Sequence, residues 1–139
     1  MYKLPLPDIN KTNHRDFFVS PEIFRLAWER VRYFDRSDSR DWVGLKVFAA
    51  NRDHNLEILR QSIIHKTFEP SSPEIKFFPK QSQTLRPMAV LPIKDRVVFQ
   101  AIANVVAEFG RSTLSLVANR QSFANVLRPP EIIQMFSPW

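Results

Sequence analysis

The apolar pattern of residues 97–109 constrains the fold of this chain more than any other feature of the sequence. Apolar side chains recur there in pairs, one pair every four positions, which is the spacing of the buried face of an α-helix. Gly110 follows, at a position typical of a left-handed helix C-cap. The sequence therefore predicts a long amphipathic helix over residues 95–109. Its apolar face comprises Val97, Val98, Ala101, Ile102, Val105, Val106 and Phe109.

A two-stranded β-hairpin is predicted immediately before this helix, over residues 75–91. Apolar segments flank a polar turn at residues 81–84, a usual length for a hairpin loop. Pro87 weakens the ladder of the second strand, which is therefore expected at an edge. Because an isolated hairpin is only marginally stable in water, we expect it to pack on the helices, with the apolar face around Val98 and Ile102 as its platform.

Three further helices are predicted in the N-terminal half. The first begins at Ser20-Pro21, since serine can cap a free amide and proline fits the first helical position. Apolar residues from Ile23 to Phe34 then form a single helical face. The other two segments show apolar residues at spacings of three and four. The predicted bounds are residues 21–35, 42–50 and 55–65.

The predicted fold class is α+β: N-terminal helices packed with a two-stranded hairpin, followed by the long amphipathic helix. Residues 1–19 mix proline, asparagine and charges, and we expect an extended arm with a turn at residues 8–10. One domain is expected over residues 20–128, and residues 129–139 are expected to be either the start of a missing further domain or an interface tail.

Composition narrows the classes of function. Lys and Arg outnumber Asp and Glu by 20 to 14, which favours a polyanionic partner, although a solvated basic surface has the same composition. The absence of cysteine excludes disulfides, cysteine nucleophiles and cysteine-ligated zinc. Two glycines in all exclude a P-loop and a dinucleotide-binding fingerprint. No apolar stretch approaches a membrane span or a signal sequence, so a soluble, cytoplasmic protein is expected.

Cationic side chains gather around the predicted hairpin. Lys80 and Arg86 near its tip can grip a triphosphate or a nucleic-acid backbone, although cations at hairpin tips also protect strand edges from pairing. On the following helix, Arg96, Gln100 and Asn104 recur every four residues and form a polar strip. Such a strip can contact phosphates and sugars, or it can be a solvated helix face. Together with Lys76 and Lys94, these residues predict a nucleic-acid-binding surface.

Several short motifs between residues 80 and 102 resemble the first conserved blocks of bacterial reverse transcriptases of the group II intron and retron type. In that family a lysine precedes a turn and an arginine-proline pair follows. An apolar strand then leads to a helix that opens with aspartate-arginine. The same blocks occur here in the same order: Lys80, Arg86-Pro87, Val90-Leu91-Pro92, Asp95-Arg96-Val97-Val98 and Gln100-Ala101-Ile102.

The resemblance implies a fold like the fingers of a reverse transcriptase and a role for its polar residues. Lys80 and Arg86 would hold the triphosphate of the incoming nucleotide, and Arg96 and Gln100 would lie near the template or primer. The implied partner is an RNA template and primer or an RNA–DNA hybrid. Many relatives place a glycine in the turn, whereas residues 81–85 contain none.

A thinner likeness extends on both sides, to the abortive-infection and phage-defence branch of the family. It includes the approach to the hairpin and a stretch that precedes the palm in these proteins. The likeness covers about residues 38–127. Its motifs are Asp38, Asp41, Gly44-Leu45, Asn55-Leu56, Leu59, Phe68-Glu69-Pro70 and Ser122-Phe123-Ala124-Asn125-Val126-Leu127.

The carboxylates that polymerisation needs are missing from this sequence. Reverse transcriptases use two metal ions, held by aspartates of the palm, and no aspartate follows Asp95. His14, His54 and His65 lack metal-ligand spacing. We therefore expect no catalytic residue and no cofactor in this chain, with Mg²⁺ only in a complete enzyme that has a palm. The expected function is the fingers portion of an RNA-directed DNA polymerase, not catalytic alone. A freestanding RNA-binding or regulatory module and a protein-interaction fragment are the alternatives.

The apolar C-terminal segment is expected to be an interface. Residues 132–139 include five large apolar side chains with little chain after them. A separately encoded palm or thumb fragment would contact this segment. In the alternative, Trp139 packs back on the core of its own domain.

Overall fold

A computed structural model of the chain describes residues 6–35, 44–118, 126–128 and 133–137. Within these ranges the fold is α+β, as predicted, with two small antiparallel sheets beside the helices. The elements in chain order are α1 His14–Phe18, α2 Pro21–Asp35, α3 Leu45–Ala50, α4 Arg52–Ile64, β1 Glu74–Pro79, β2 Leu85–Val90, α5 Ile93–Ala118, β3 Val126–Leu127 and β4 Phe136–Ser137.

The core lies between α2 and α5, with α1, α3 and α4 packed around it. Trp28 of α2 stacks on Phe48 of α3 with ring centroids 5.1 Å apart, and Phe17 of α1 meets Phe109 of α5 edge-on at 5.2 Å. Burial of such side chains stabilises the fold by about 1.5–3 kcal/mol each. The buried cluster comprises Phe17, Ile23, Phe24, Ala27, Trp28, Val31, Phe48, Leu56, Leu59, Ile93, Val97, Val98 and Ala101.

The N-terminal predictions are confirmed in part. Helix α2 has the predicted bounds, and α4 begins at Arg52, three residues before the expected start. The turn at Asp8 is present, since the Lys11 amide donates to its carbonyl over 3.0 Å. The extended arm is wrong for residues 14–18, which form α1. Asn13 caps this helix by accepting from the Asp16 amide at 2.9 Å, a signal that the sequence analysis did not use.

The predicted helix end at Phe109 is wrong, because α5 passes through Gly110 and continues to Ala118. A glycine inside a helix costs about 1 kcal/mol relative to alanine, which neighbouring contacts can offset. Here Arg111 forms a bidentate ion pair with Glu108, at 2.6 and 3.2 Å. It also donates to the carbonyl of Arg128 at 2.9 Å. These bonds hold the turn that contains Gly110 in helical form.

The hairpin is present where predicted, but its platform is not. Pairing runs from Glu74 with Val90 to Pro79 with Leu85. Val98 is buried in the core that α5 shares with α2, whereas Ile102 is 48% exposed and lies in water. The prediction that the hairpin packs around these two residues is therefore wrong. The longer apolar face of α2 occupies the side of α5 that the hairpin was expected to cover.

The C-terminal segment folds back on α5 in the part that the structure describes. Strands β3 and β4 pair, and the Arg128 amide donates to the Met135 carbonyl at 3.0 Å. Met135 is buried, with its sulfur 3.5 Å from Nε2 of Gln100. The exposure expected of this segment is wrong for Met135. The predictions for Ile132 and Trp139 lie outside the described residues.

Candidate nucleic-acid interface

The register of the hairpin gathers cations on one of its two faces. Residues two apart on a strand point to the same side, and directly paired residues share a side. Phe78 pairs with Arg86 and Lys76 pairs with Met88, so all four lie on one face. Lys80 comes two residues after Phe78 and continues this face into the loop. We call it the cationic face, formed by Glu74, Lys76, Phe78, Lys80, Arg86, Met88 and Val90.

Lys80 and Arg86 lie at the far end of this face and are both exposed. The two residues lie diagonally across the hairpin, an arrangement in which residues of paired strands are about 7–8 Å apart. Neither side chain forms a hydrogen bond or ion pair with the part of the chain that the structure describes. The predicted placement of both cations near the hairpin tip is confirmed. Their binding of a nucleotide stays a prediction.

The loop between the strands closes without glycine. The Lys80 amide donates to the Thr84 carbonyl at 2.9 Å, and the Gln83 amide donates to the Lys80 carbonyl at 3.1 Å. Gln83 adopts a φ of 62°, the left-handed conformation for which glycine is the usual residue. The hydroxyls of Ser82 and Thr84 are 3.0 Å apart. The backbone of Lys80 is therefore held in place although its side chain is exposed.

The other predicted cations lie towards the base of the hairpin and are engaged by the protein. Nζ of Lys76 is 3.4 Å from the Glu74 carboxylate, and its side chain is 24% exposed. Nζ of Lys94 lies 5.9 Å from the ring centroid of Phe68 and donates to a backbone carbonyl at 3.4 Å. Arg96 is half-buried. These three residues extend the basic surface to the start of α5, and Lys76 and Arg96 are less exposed than Lys80 and Arg86.

The polar strip on α5 turns into the protein, which overturns one predicted site residue. Asn104 is fully buried, and its Oδ1 accepts from Arg30 Nη1 at 2.6 Å and from Gln100 Nε2 at 3.0 Å. Asn104 therefore cannot contact a nucleic acid in this fold. The spacing of four residues correctly predicts that Arg96, Gln100 and Asn104 lie on one side of α5. It does not predict which side of α5 faces α2.

Arg30 is the partner that sequence analysis missed. Its side chain is 1% exposed, and burial lowers its pKa from its ordinary value to about 10, opposed in part by the nearby Glu108 carboxylate. It is therefore charged at neutral pH. The available signal was its position, three residues after Ala27 and seven after Ile23, on the side of α2 that also carries the apolar residues. An arginine in the apolar stripe of one helix and an asparagine beside the apolar stripe of another are candidates for a buried hydrogen-bonded pair.

A shallow cavity of about 270 Å³ lies between α2 and the junction of α3 with α4, away from the predicted site residues. Arg52, one of two arginines in its lining, donates two bonds to the Asp53 carboxylate, at 2.9 and 3.2 Å, and holds the pKa of that carboxyl below its ordinary value. The charge of Arg52 is therefore neutralised within the lining, and Arg32 is the second cation there. The lining residues are Trp28, Arg32, Ala49, Ala50, Asn51, Arg52 and Asp53.

No family model, curated protein or solved structure matches the chain. Among the described residues, no group of three or more histidine, aspartate and glutamate side chains is placed to hold a metal ion. In the same part of the chain, no helix combines the length and apolar character needed to cross a membrane. The predicted motifs Asp38 and Asp41 lie outside the described residues.

Proposed function

We propose that this chain is a fingers-type element of an RNA-directed DNA polymerase, which holds an RNA template and primer and the incoming nucleoside triphosphate. The observation that carries the proposal is the position of Lys80 and Arg86, both exposed on one face at the far end of the hairpin. The motif order from Lys80 to Gln100 supports the same proposal. The abortive-infection and phage-defence branch is the one to which the flanking motifs point.

The two cations have complementary chemistry for a phosphate group. The Arg86 guanidinium is a planar fork that donates two parallel hydrogen bonds, whereas the Lys80 ammonium is a mobile point charge. In the proposal, the two charges contact different phosphate groups of a triphosphate or two successive phosphates of a nucleic-acid backbone. Lys94 and Arg96 lie at the start of α5, and they extend the positive surface in the direction that a bound nucleic-acid strand would follow.

In this proposal the chain binds and orients, whereas phosphoryl transfer requires the metal-binding aspartates of a palm, and no aspartate follows Asp95. A palm, on a longer chain or on a separate one, would hold the Mg²⁺ ions that polarise the reacting phosphate. This chain alone is expected to give no templated extension of a primer. Extension by the purified chain would contradict this part of the proposal.

The first prediction concerns RNA affinity and its dependence on salt. The logarithm of the binding constant for single-stranded RNA should fall with the logarithm of salt concentration, with a slope reduced by about 0.7 for each phosphate contact removed. Arg86→Ala and Lys80→Ala should each lower the affinity and make the slope shallower by about that amount. Fluorescence anisotropy with labelled RNA at several salt concentrations measures both quantities.

Matched controls separate a site from general basicity. Arg25→Ala on α2 and Lys11→Ala near the N-terminus remove the same charges from exposed positions away from the hairpin. If these controls lower the affinity as much as the hairpin variants, the proposed interface is wrong.

The freestanding RNA-binding module differs from the polymerase element in one observable, the binding of a nucleoside triphosphate. In the polymerase proposal, a fluorescent triphosphate binds and Arg86→Ala weakens it at least as strongly as it weakens RNA binding. RNA binding without any triphosphate binding would favour the freestanding module instead.

A further inference from the structure

The C-terminal segment contacts the side of α5 that carries Gln100. The Met135 sulfur lies 3.5 Å from Gln100 Nε2, and Arg111 Nη1 donates to the Arg128 carbonyl at 2.9 Å. In an α-helix, Gln100 and Arg111 lie about 16 Å apart along the axis and within about 20° of the same side. The segment therefore contacts one side of α5 at two points about three turns apart. We call residues 126–128 and 133–137 the strap.

The strap is weakly held in the part of the chain that the structure describes. Its strands β3 and β4 are two residues long, and the Arg128 amide donates to the Met135 carbonyl at 3.0 Å. A two-stranded pairing of this size is marginal in water, so the strap depends on its contact with α5. The described strap residue that is buried in this contact is Met135, at 7% exposure. Segments with few buried apolar side chains open far more readily than a core.

The strap takes up a hydrogen bond that Gln100 would otherwise offer to a nucleic acid. The Gln100 amide can donate two bonds, and in this structure they go to Asn104 Oδ1 at 3.0 Å and to the Met135 sulfur. A thioether sulfur is a weak acceptor, whereas an anionic phosphate oxygen accepts strong bonds. The bond to Met135 is therefore the one that a nucleic acid can replace with a gain.

We propose that the strap covers the nucleic-acid surface of α5 and that an RNA strand displaces it on binding. Gln100 follows Arg96 by about one helical turn. A strand that passes from Lys94 and Arg96 along this side of α5 therefore meets the strap at Met135. The proposal rests on the proposed function and adds regulation to it. RNA affinity then depends on the cations of the hairpin and also on how often the strap is open.

The second prediction concerns Met135→Ser, which removes the buried apolar side chain of the strap without adding a charge. If the native strap is open in about one molecule of ten, opening it fully raises the affinity for single-stranded RNA about tenfold. Leu56→Ala on α4 is the control, because it removes a buried apolar side chain outside the strap and should leave the affinity unchanged. Fluorescence anisotropy measures the affinities, and circular dichroism shows whether each variant is folded.

A second measurement uses the native chain and so does not depend on the folding of a variant. The Arg128 amide is bonded to the Met135 carbonyl, and its hydrogen exchange reports whether the strap is closed. Saturating single-stranded RNA should speed exchange at Arg128, while amides of α2 should stay slow. Exchange followed by NMR with and without RNA measures this difference. If Met135→Ser does not fold, this measurement decides alone.

Every other outcome overturns the proposal. Unchanged RNA affinity in Met135→Ser, or an equal gain in Leu56→Ala, shows that the strap does not regulate binding. Equal or slower exchange at Arg128 with RNA bound shows that RNA leaves the strap closed. In these cases RNA still binds, and the proposed function stands. If neither the native chain nor folded Met135→Ser binds RNA, both the proposed function and the regulation by the strap are wrong.

Discussion

At the scale of single residues, the buried guanidinium of Arg30 is the group in the core that most needs compensating interactions. It is charged at neutral pH because its pKa, lowered to about 10 by burial, still lies well above 7. A charge removed from water destabilises the fold unless hydrogen bonds and opposite charge compensate it. Asn104 Oδ1 at 2.6 Å and the field of Glu108 supply that compensation. This bond joins α2 to α5 across the centre of the molecule.

The third prediction follows from this pair. Asn104→Leu should lower the free energy of unfolding by about 2–3 kcal/mol, because the buried cation loses a hydrogen-bond partner. Arg30→Met combined with Asn104→Leu should recover part of that loss, since an apolar pair needs no partner. Urea unfolding of the two single variants and the double variant measures the coupling. Gln100→Leu is the control, because it keeps the bond to Arg30, and an equal loss in that variant would contradict the assigned role.

The fourth prediction concerns pH. Hydrogen bonds from Arg60 and Gln61 lower the pKa of Glu57 from 4.5 to about 2. A carboxyl with a lowered pKa contributes stability above its unfolded value and loses it on protonation. This contribution should therefore disappear as pH falls from about 4.5 to about 2, and it is small because Glu57 is largely exposed. NMR titration should show the pKa of Glu57 returning towards 4.5 in Arg60→Ala. An unchanged value in that variant would remove Arg60 as the cause.

At the scale of elements, the hairpin is anchored at its base and exposed beyond it. Asp95, in the first turn of α5, is buried, and its Oδ1 accepts from the Ser71 amide at 2.9 Å. This bond ties the segment before β1 to the helix that follows β2. Both ends of the hairpin are thus fixed at one point, which sets the direction in which Lys80 and Arg86 project.

The fifth prediction tests this anchor. Asp95→Ala should speed amide hydrogen exchange at Ser71 and along β1, because the segment before the hairpin loses its bond to α5, while exchange in α2 stays slow. Asp95→Asn keeps an oxygen acceptor and should restore protection at Ser71. Exchange followed by NMR distinguishes the two variants. Uniformly faster exchange throughout the core in Asp95→Ala would show that the bond supports the whole fold instead.

The sequence predicted the positions of the helices and the hairpin along the chain better than it predicted which surfaces pack against one another. The bounds of α2 followed from a helix-start signal and an apolar stripe, and the hairpin followed from two apolar segments around a polar turn. The end of α5 was missed because the turn at Gly110 is held by bonds of Arg111, one of them to the Arg128 carbonyl, 17 residues away in sequence. For the site, spacing grouped Arg96, Gln100 and Asn104, but only packing against α2 decided that Asn104 is buried.

At the scale of the whole molecule, the helices and the hairpin differ in what they bury. The core between α2 and α5 contains large apolar side chains and one buried polar pair, Arg30 and Asn104. The contacts that bury these side chains come from the helices of the chain itself. The hairpin instead presents an apolar face and a cationic face to solvent. The charged side chains of the two strands thus all lie on one side of the hairpin, and only apolar side chains lie on the other.

This arrangement makes the hairpin far more sensitive to changes in length than to changes in composition. Because side chains alternate with a period of two, the loss of one residue within β1 would turn every later side chain of that strand to the opposite side. Lys80 would then lie on the side of the hairpin that now carries Phe77, and charged and apolar side chains would be mixed on that side. The loss of two residues would keep the sides intact and only shorten the reach. Even-numbered changes are thus the insertions and deletions that this hairpin can tolerate.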